Sequence, residues 1–310
     1  MTRVAIIGAG MAGLACARRL AEAGLAPVIF DKGRGVGGRL ATRRVGDLQF
    51  DHGAQYVTAR DPDFAAVMRA LVAKGAAAVW HDGSGTGHLV GVPGMSALTR
   101  AMAVGLDLRH LAKVTSINAD GAGWSVAVED AAQRFDVVVI TAPAPQLAGL
   151  VGADHPLVDA VSAVRFAPCL TLMAAIDAKP AFGTQSDASH PLAWIAADSS
   201  KPGRPQGGPT QWVAQASPAF SALYLEETAA DIAARMLPML CDRLQGTADK
   251  VIHAEAHRWR YARVTAALGQ PFVQSGSTLY AAGDWCIGPR VEAAWISGDA
   301  VAKAILASMS

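Results

Sequence analysis

Residues 4–7 (Val-Ala-Ile-Ile) are an uninterrupted apolar run, and Gly8-Ala9-Gly10-Met11-Ala12-Gly13 follows without a break. A run with no polar alternation suits a strand buried on both faces. In such a setting the first glycine permits a tight turn from strand into helix, and the second lets the backbone approach a pyrophosphate. The third lets the helix pack closely on the strand. The helical stretch reaches about Glu22, Gly24 ends it, and residues 27–30 form a second buried strand closing on Asp31, 18 residues beyond Gly13. This is a β-α-β unit. Its helix start offers free N–H groups and about half a positive charge to an anion. Asp31 can accept hydrogen bonds from ribose hydroxyls, each worth about 1.5–3 kcal/mol. The fingerprint alone leaves NAD and FAD equally open.

Buried strands recur at residues 135–141, ahead of Ala142-Pro143-Ala144-Pro145, and at 279–282, which lead through Gly283-Asp284 into a helix over about 291–307. Between them the character changes. Residues 170–176, 192–197 and 211–216 read as longer, partly alternating strands, with the polar Gly/Pro stretch 198–209 among them. An amphipathic helix over about 229–244 follows, which Pro238 should bend or divide. The order implies an α/β chain. A Rossmann-like domain is assembled from residues 1–57, 94–148 and 275–310, and a mixed-sheet substrate domain is inserted as 58–93 and 149–274.

Composition removes several alternatives. Across 310 residues, Lys+Arg 27 against Asp+Glu 26 leave a net charge of +1, which gives no electrostatic case for nucleic acid or an anionic membrane. With 52% hydrophobic and 17% charged residues the chain is too apolar for disorder. Cys16, Cys169, Cys241 and Cys286 form no CxxC pair, so neither a zinc site nor a disulfide framework is indicated. The apolar stretch 4–20 is broken by glycines and reaches Arg18-Arg19 without a cleavage region, so it reads as fold. No run approaches the ~20 apolar residues of a membrane helix. A cytoplasmic location is the expectation.

Gly33-Arg34-Gly35-Val36-Gly37-Gly38-Arg39 and Asp51-His52-Gly53-Ala54-Gln55-Tyr56 come next in the chain. Thr141-Ala142-Pro143-Ala144-Pro145-Gln146, His257-Arg258-Trp259-Arg260-Tyr261-Ala262, Gly283-Asp284-Trp285-Cys286 and Arg290-Val291-Glu292-Ala293-Ala294-Trp295 carry the pattern to the far end. Together these segments resemble the FAD-dependent amine oxidase superfamily and, within it, the renalases, particularly the bacterial ones. The resemblance implies an FAD-binding domain of the amine oxidase / p-hydroxybenzoate hydroxylase type, with FAD held non-covalently. It places the pyrophosphate on Gly8, Gly10, Met11, Ala12, Gly13 and Gly38, with Arg39 as a fixed cation. Asp31 and its neighbour Lys32 belong to the ribose end, although a solvated lysine is the ordinary state of such a residue. The Val114 backbone would hold the adenine edge. Ala54 and Gln55 would lie beside the flavin ring, and Gly283 and Asp284 at the ribityl chain. The N–H groups of Val291, Glu292 and Ala293 would face the flavin pyrimidine, where a helix start stabilises the negative charge of the reduced ring. The superfamily usually has Glu at the position of Asp31, a difference that bears on affinity. Cys286 lacks the context of covalent attachment and reads as a packing cysteine.

A second nucleotide motif is missing: Gly83-Ser84-Gly85-Thr86-Gly87 lacks the third glycine position and the strand–helix frame. Electrons must therefore come from a substrate bound in the inserted domain. By resemblance to renalases the donor is a 2- or 6-dihydro isomer of NAD(P)H, which leaves as NAD(P)+ while O2 reoxidises the flavin and departs as hydrogen peroxide. FAD is then the reacting group, no side chain is assigned a catalytic role, and no metal ligands are read. His257, Trp259 and Tyr261 alternate on an apparent strand and so share a face, either against a nicotinamide or as an aromatic core. Tyr56, Trp285 and His52 are further candidates on the substrate side. Arg165, Arg258 and Arg260 could meet phosphates, though solvation is the default for each. An amine oxidase and a non-catalytic FAD-binding protein stay open as alternatives.

Overall fold

Strand β1 (Val4–Ile7) is buried along its whole length and sits inside a six-stranded sheet. The computed structural model describes residues 2–83, 87–129 and 131–309, so the middle of the Gly83–Gly87 stretch lies outside it. From β1 the chain passes through helix α1 (Met11–Glu22) to β2 (Val28–Phe30), which pairs with β1 in parallel. Val137–Ile140 pairs in parallel on the other side of β1, Leu279–Ala281 lies beyond it, and Asp107–Arg109 flanks β2. The sheet is mixed only at its edge, where Val273–Ser275 runs against Leu279–Ala281.

The apolar run 135–141 is divided at Asp136. Ala131–Phe135 joins a three-stranded antiparallel sheet with Val114–Asp120 and Gly123–Val128, while Val137–Ile140 enters the large sheet. Asp136 donates its N–H to the Arg3 carbonyl (2.9 Å) and accepts the Arg3 N–H at its carboxylate (2.8 Å), which pins the chain where it changes sheets.

The second layer is a five-stranded sheet in the order 184–186, 192–197, 210–216, 165–176, 251–266, antiparallel at every pairing. Helix Ala229–Arg243 covers one face with Ile232, Met236 and Leu240, packed in one cluster with Leu170, Ile195 and Trp212. The helix runs undivided through Pro238, because its apolar i, i+4 stripe continues across the missing hydrogen bond.

The hairpin β3 (Thr42–Val45) and β4 (Leu48–Asp51) packs Phe50 against Met173, Ala175 and Val213 of the second layer. Helix α2 (Pro62–Ala73) starts on an Asp61 cap that accepts the Asp63 and Phe64 N–H groups. Although residues 58–93 are assigned from sequence to the inserted domain, Phe64, Met68 and Leu71 of α2 pack with Leu14 of α1 and Trp295 of the C-terminal helix Val291–Ser308. Among the described residues no helix is long and apolar enough to cross a membrane.

Helix α1 and the C-terminal helix meet at backbone distance. A Cβ on Gly298 would stand 2.0 Å from the Ala12 carbonyl oxygen, and Arg19 bonds Asp299 at 2.7 Å one residue on. Gly298→Ala is expected to lower unfolding free energy by about 1–3 kcal/mol through overpacking, measured by denaturant titration.

Candidate functional site

The three glycines after β1 do three different things. Gly8 adopts φ +109°, where other residues are strained. Gly13 presses on the Gly8 carbonyl, which a Cβ would meet at 2.0 Å. Gly10 has nothing within 4 Å on its side-chain side and starts α1 with no side-chain cap, the first helical bond being Leu14 N–H to Gly10 O at 3.0 Å. The N–H groups of Met11, Ala12 and Gly13 thus end at an open space suited to an anion.

Asp31 closes this turn itself. Its Oδ2 accepts the Ala9 N–H (2.7 Å) and its Oδ1 the Gly33 N–H (2.7 Å), so the carboxylate shapes the loop while each oxygen keeps further accepting capacity. Ala112 and Leu111 donate to the Asp31 and Gly33 carbonyls, which brings the strand start at Val114 beside them; Lys32 is exposed. Gly37 donates to the Ala9 carbonyl at 2.9 Å, and Gly38 has its side-chain direction 3.7 Å from the Gly10 Cα, so this second glycine segment lies over the first.

Arg39, immediately after, forms a fork with Asp284: Nη1 to Oδ2 at 2.8 Å and Nη2 to Oδ1 at 2.5 Å, with Nη1 also bonding the Ala262 carbonyl at 3.0 Å. The Arg39 carbonyl accepts the Ala54 N–H (2.8 Å) and blocks any side chain at Gly53. Gln55 turns its side chain inward, donating to the Asp51 and Gly53 carbonyls and accepting from Lys201. With its side chain so engaged, Gln55 has its backbone left to face a ligand. At the C-terminal helix, Arg290 carries no side-chain cap and the first helical bond is Ala294 N–H to Arg290 O. The N–H groups of Val291, Glu292 and Ala293 are therefore free of helical partners. The Glu292 carboxylate itself turns to the Arg60 and Asp61 N–H groups and to Arg290.

Trp285 is a correction. It is buried in the core beneath the large sheet, and its N–H is taken by the Ala142 carbonyl (3.1 Å), so it offers no face to a substrate. Cys286 beside it is fully buried, and burial pushes its thiol up to about 12.

His257 and Trp259 do share a face of strand Val251–Ala266, and the Trp259 N–H donates to the His52 carbonyl at 2.7 Å. The His52, His257 and Trp259 rings form a mutual cluster with centroids 4.4–5.3 Å apart. Burial, then His257 and Arg43, push the His52 imidazole down from 6.5 to about 3, and burial lowers His257 as well. Both rings are neutral near pH 7. Tyr261 follows on the same face but packs against Phe166, and Tyr56 stacks on His88 at 3.7 Å, with His88 Nδ1 held by Asp82. Arg258 and Arg260 point away, engaged by the Leu225 carbonyl and Glu226, and Arg165 bonds its own turn carbonyls.

Two family models match the chain: an NAD(P)-binding Rossmann-like domain over residues 6–71 and a flavin-containing amine oxidoreductase over residues 72–306. The chain belongs to the flavin-containing amine oxidoreductases. Renalase of Mus musculus is 28% identical over 86% of this chain and 87% of its own, in line with the resemblance carried by the motifs. Among solved structures, a putrescine oxidase with bound putrescine superposes with a TM-score of 0.73 at 14% identity. A proposed protoporphyrinogen oxidase from Exiguobacterium reaches 0.78 at 12% identity. Each covers 99% of both chains, and at such identities the likeness carries the fold alone.

This amine oxidoreductase also holds a charge cluster that the sequence reading missed. Asp51, Asp198, Lys201 and Arg204 have fully buried side chains. The Lys201 ammonium reaches Asp198 (2.6 Å), Gln55 (3.0 Å) and Asp51 (3.4 Å), and Arg204 pairs with Asp51. Burial alone would raise the Asp51 carboxyl, but Lys201 and Arg204 hold it below its ordinary value. Burial raises Asp198; Lys201 opposes that shift and the charge on Asp51 adds to it. The only sequence signal is Asp198-x-x-Lys201-x-x-Arg204 inside a Gly/Pro loop, which reads equally well as a solvated turn. The cluster fixes Gln55, and through it the loop that carries Ala54.

Lys201→Met leaves one uncompensated buried charge and is expected to cost about 3–5 kcal/mol in denaturant unfolding. Adding Asp198→Asn should recover most of that loss. His52 gives a separate pH signature. The unfolded imidazole binds a proton near 6.5 that the folded one refuses down to about 3, so stability present above 6.5 is lost as pH falls through that window. His52→Gln should flatten the acid limb by about 1.4 kcal/mol per pH unit between about pH 6 and 4, read from urea midpoints.

Proposed function

We propose that this chain is a renalase-like flavoprotein oxidase of 2- or 6-dihydro isomers of NAD(P)H, with FAD bound non-covalently. The residues present fit FAD. Two uncapped helix starts and the open side of Gly10 offer N–H donors to a dinucleotide, and the Arg39–Asp284 fork stands beside them with guanidinium N–H groups to spare. The deep burial and raised thiol of Cys286 support a non-covalent cofactor. Four free cysteines fit a reducing, cytoplasmic setting. FAD held there supplies a two-electron acceptor that O2 restores, with release of hydrogen peroxide.

The observation that carries the substrate reading is the uncharged aromatic group of His52, His257 and Trp259, fixed beside the Arg39–Ala54 cradle. A dihydropyridine leaves as a pyridinium cation. A neutral imidazole pair accepts that change of charge, whereas a protonated pair would oppose it. Trp259 can stack on the ring through its electron-rich face. Its N–H bond to the His52 carbonyl holds it in one orientation, so the face positions the donor rather than exchanging protons with it.

Anaerobic mixing with 2- and 6-dihydro isomers of NAD(P) should bleach the blue absorbance band, and admitting air should restore it. Bleaching by simple primary amines alone would make the chain an amine oxidase, and bleaching by neither donor would mark a non-catalytic FAD-binding protein. Gly10→Ala should keep stability within about 0.5 kcal/mol, since its Cβ meets nothing, yet weaken FAD binding about tenfold or more by filling the pyrophosphate approach. Flavin retention on gel filtration measures the second effect.

A further inference from the structure

Strand Val251–Ala266 has a direction relative to the cofactor cradle. Its cradle end is tied by Arg39 to the Ala262 carbonyl, and from there Tyr261, Trp259, His257 and Glu255 follow along one face, away from that tie. At the distal end, Arg43 of β3 reaches Glu255 at 2.6 Å. Its guanidinium lies close enough to bear on the titration of both His52 and His257. Among the described residues this pair is its one ionic contact and uses Nη1, while a guanidinium has five donors. The Arg43 side chain is 37% exposed, against full burial for Lys201 and Arg204.

We propose that Arg43 is the specificity-determining contact for the phosphate of a nucleotide substrate, with its ring on the Trp259–His257 face and its phosphate arm running toward Glu255. The inference rests on the dihydronicotinamide reading above and names a residue for it. The four residue steps from Trp259 to Glu255 span about 13 Å, a reach comparable to ring, ribose and first phosphate in line. Arginine suits the task because its planar fork binds phosphate oxygens in pairs. The alternatives are occupied elsewhere: Arg258 and Arg260 serve Leu225 and Glu226, and Arg165 its own turn. Glu255 aims Arg43 and at the same time competes with the incoming phosphate for it.

The test compares dihydro isomers of NAD(P) with the matching dihydronicotinamide riboside, which lacks phosphate, in the flavin-loaded protein. Arg43→Gln should raise KM for the dinucleotides about tenfold or more and leave the riboside unchanged. Arg43→Lys should fall between, and Glu255→Gln should lower the dinucleotide KM by freeing the guanidinium. Calorimetric titration with NAD+, independent of turnover, should show the same loss of affinity in Arg43→Gln. Equal effects on dinucleotide and riboside, or no effect on either, would overturn the assignment and leave the substrate reading standing. If no dihydro isomer reduces the flavin of the unaltered protein, the reading fails and the role of Arg43 fails with it.

Discussion

Three backbone contacts that leave no room for a side chain set the geometry of the cofactor half. Gly13 abuts the Gly8 carbonyl, Gly53 the Arg39 carbonyl and Gly298 the Ala12 carbonyl, each with a would-be Cβ at 2.0 Å. The first brings α1 onto its strand. The second lays the Asp51–Tyr56 segment against Arg39, and the third joins α1 to the C-terminal helix. Because these are contacts between main chains, the positions of the two uncapped helix starts follow from backbone geometry and not from the choice of neighbouring side chains.

The inserted layer is fixed to that frame by different means. Asp51 and Gln55 belong to the cofactor-side segment, Asp198, Lys201 and Arg204 to the loop beyond the second layer's strand 192–197, and their ion pairs cross between the two. A buried set of two carboxyl groups paired with a lysine and an arginine contributes little net stability over an apolar core, but it tolerates few arrangements. It therefore specifies where the Ala54 backbone lies. The neighbouring imidazoles show the other consequence of a dry interior, giving up their charge rather than finding a partner.

Much of this was legible in the sequence where local chemistry decides the structure. The strand–glycine–helix unit at the start, the strand 192–197 and the helix start at Val291 lie where apolar runs and breakers place them. The split at Asp136 was hidden because one apolar run serves two sheets, and the tie that divides it comes from Arg3, far away in sequence. Trp285 was misjudged for a related reason: proximity to Asp284 in sequence says nothing about which way the next side chain turns. Arg39 and Asp284 were each recognisable by motif, yet their fork with one another could be seen only in three dimensions. The buried charges were invisible because a lysine in a Gly/Pro loop has the same sequence signature whether solvent or two carboxylates surround it.

The Arg39–Asp284 fork joins residues 245 positions apart, and the Arg19–Asp299 bond spans 280. The β-α-β unit is therefore closed into a dinucleotide cradle only by a helix that lies far along the chain. During synthesis the unit exposes an apolar helix face that Trp295 and Val301 will later cover. The dinucleotide fingerprint and the contacts that close around it thus come from segments made at widely separated times.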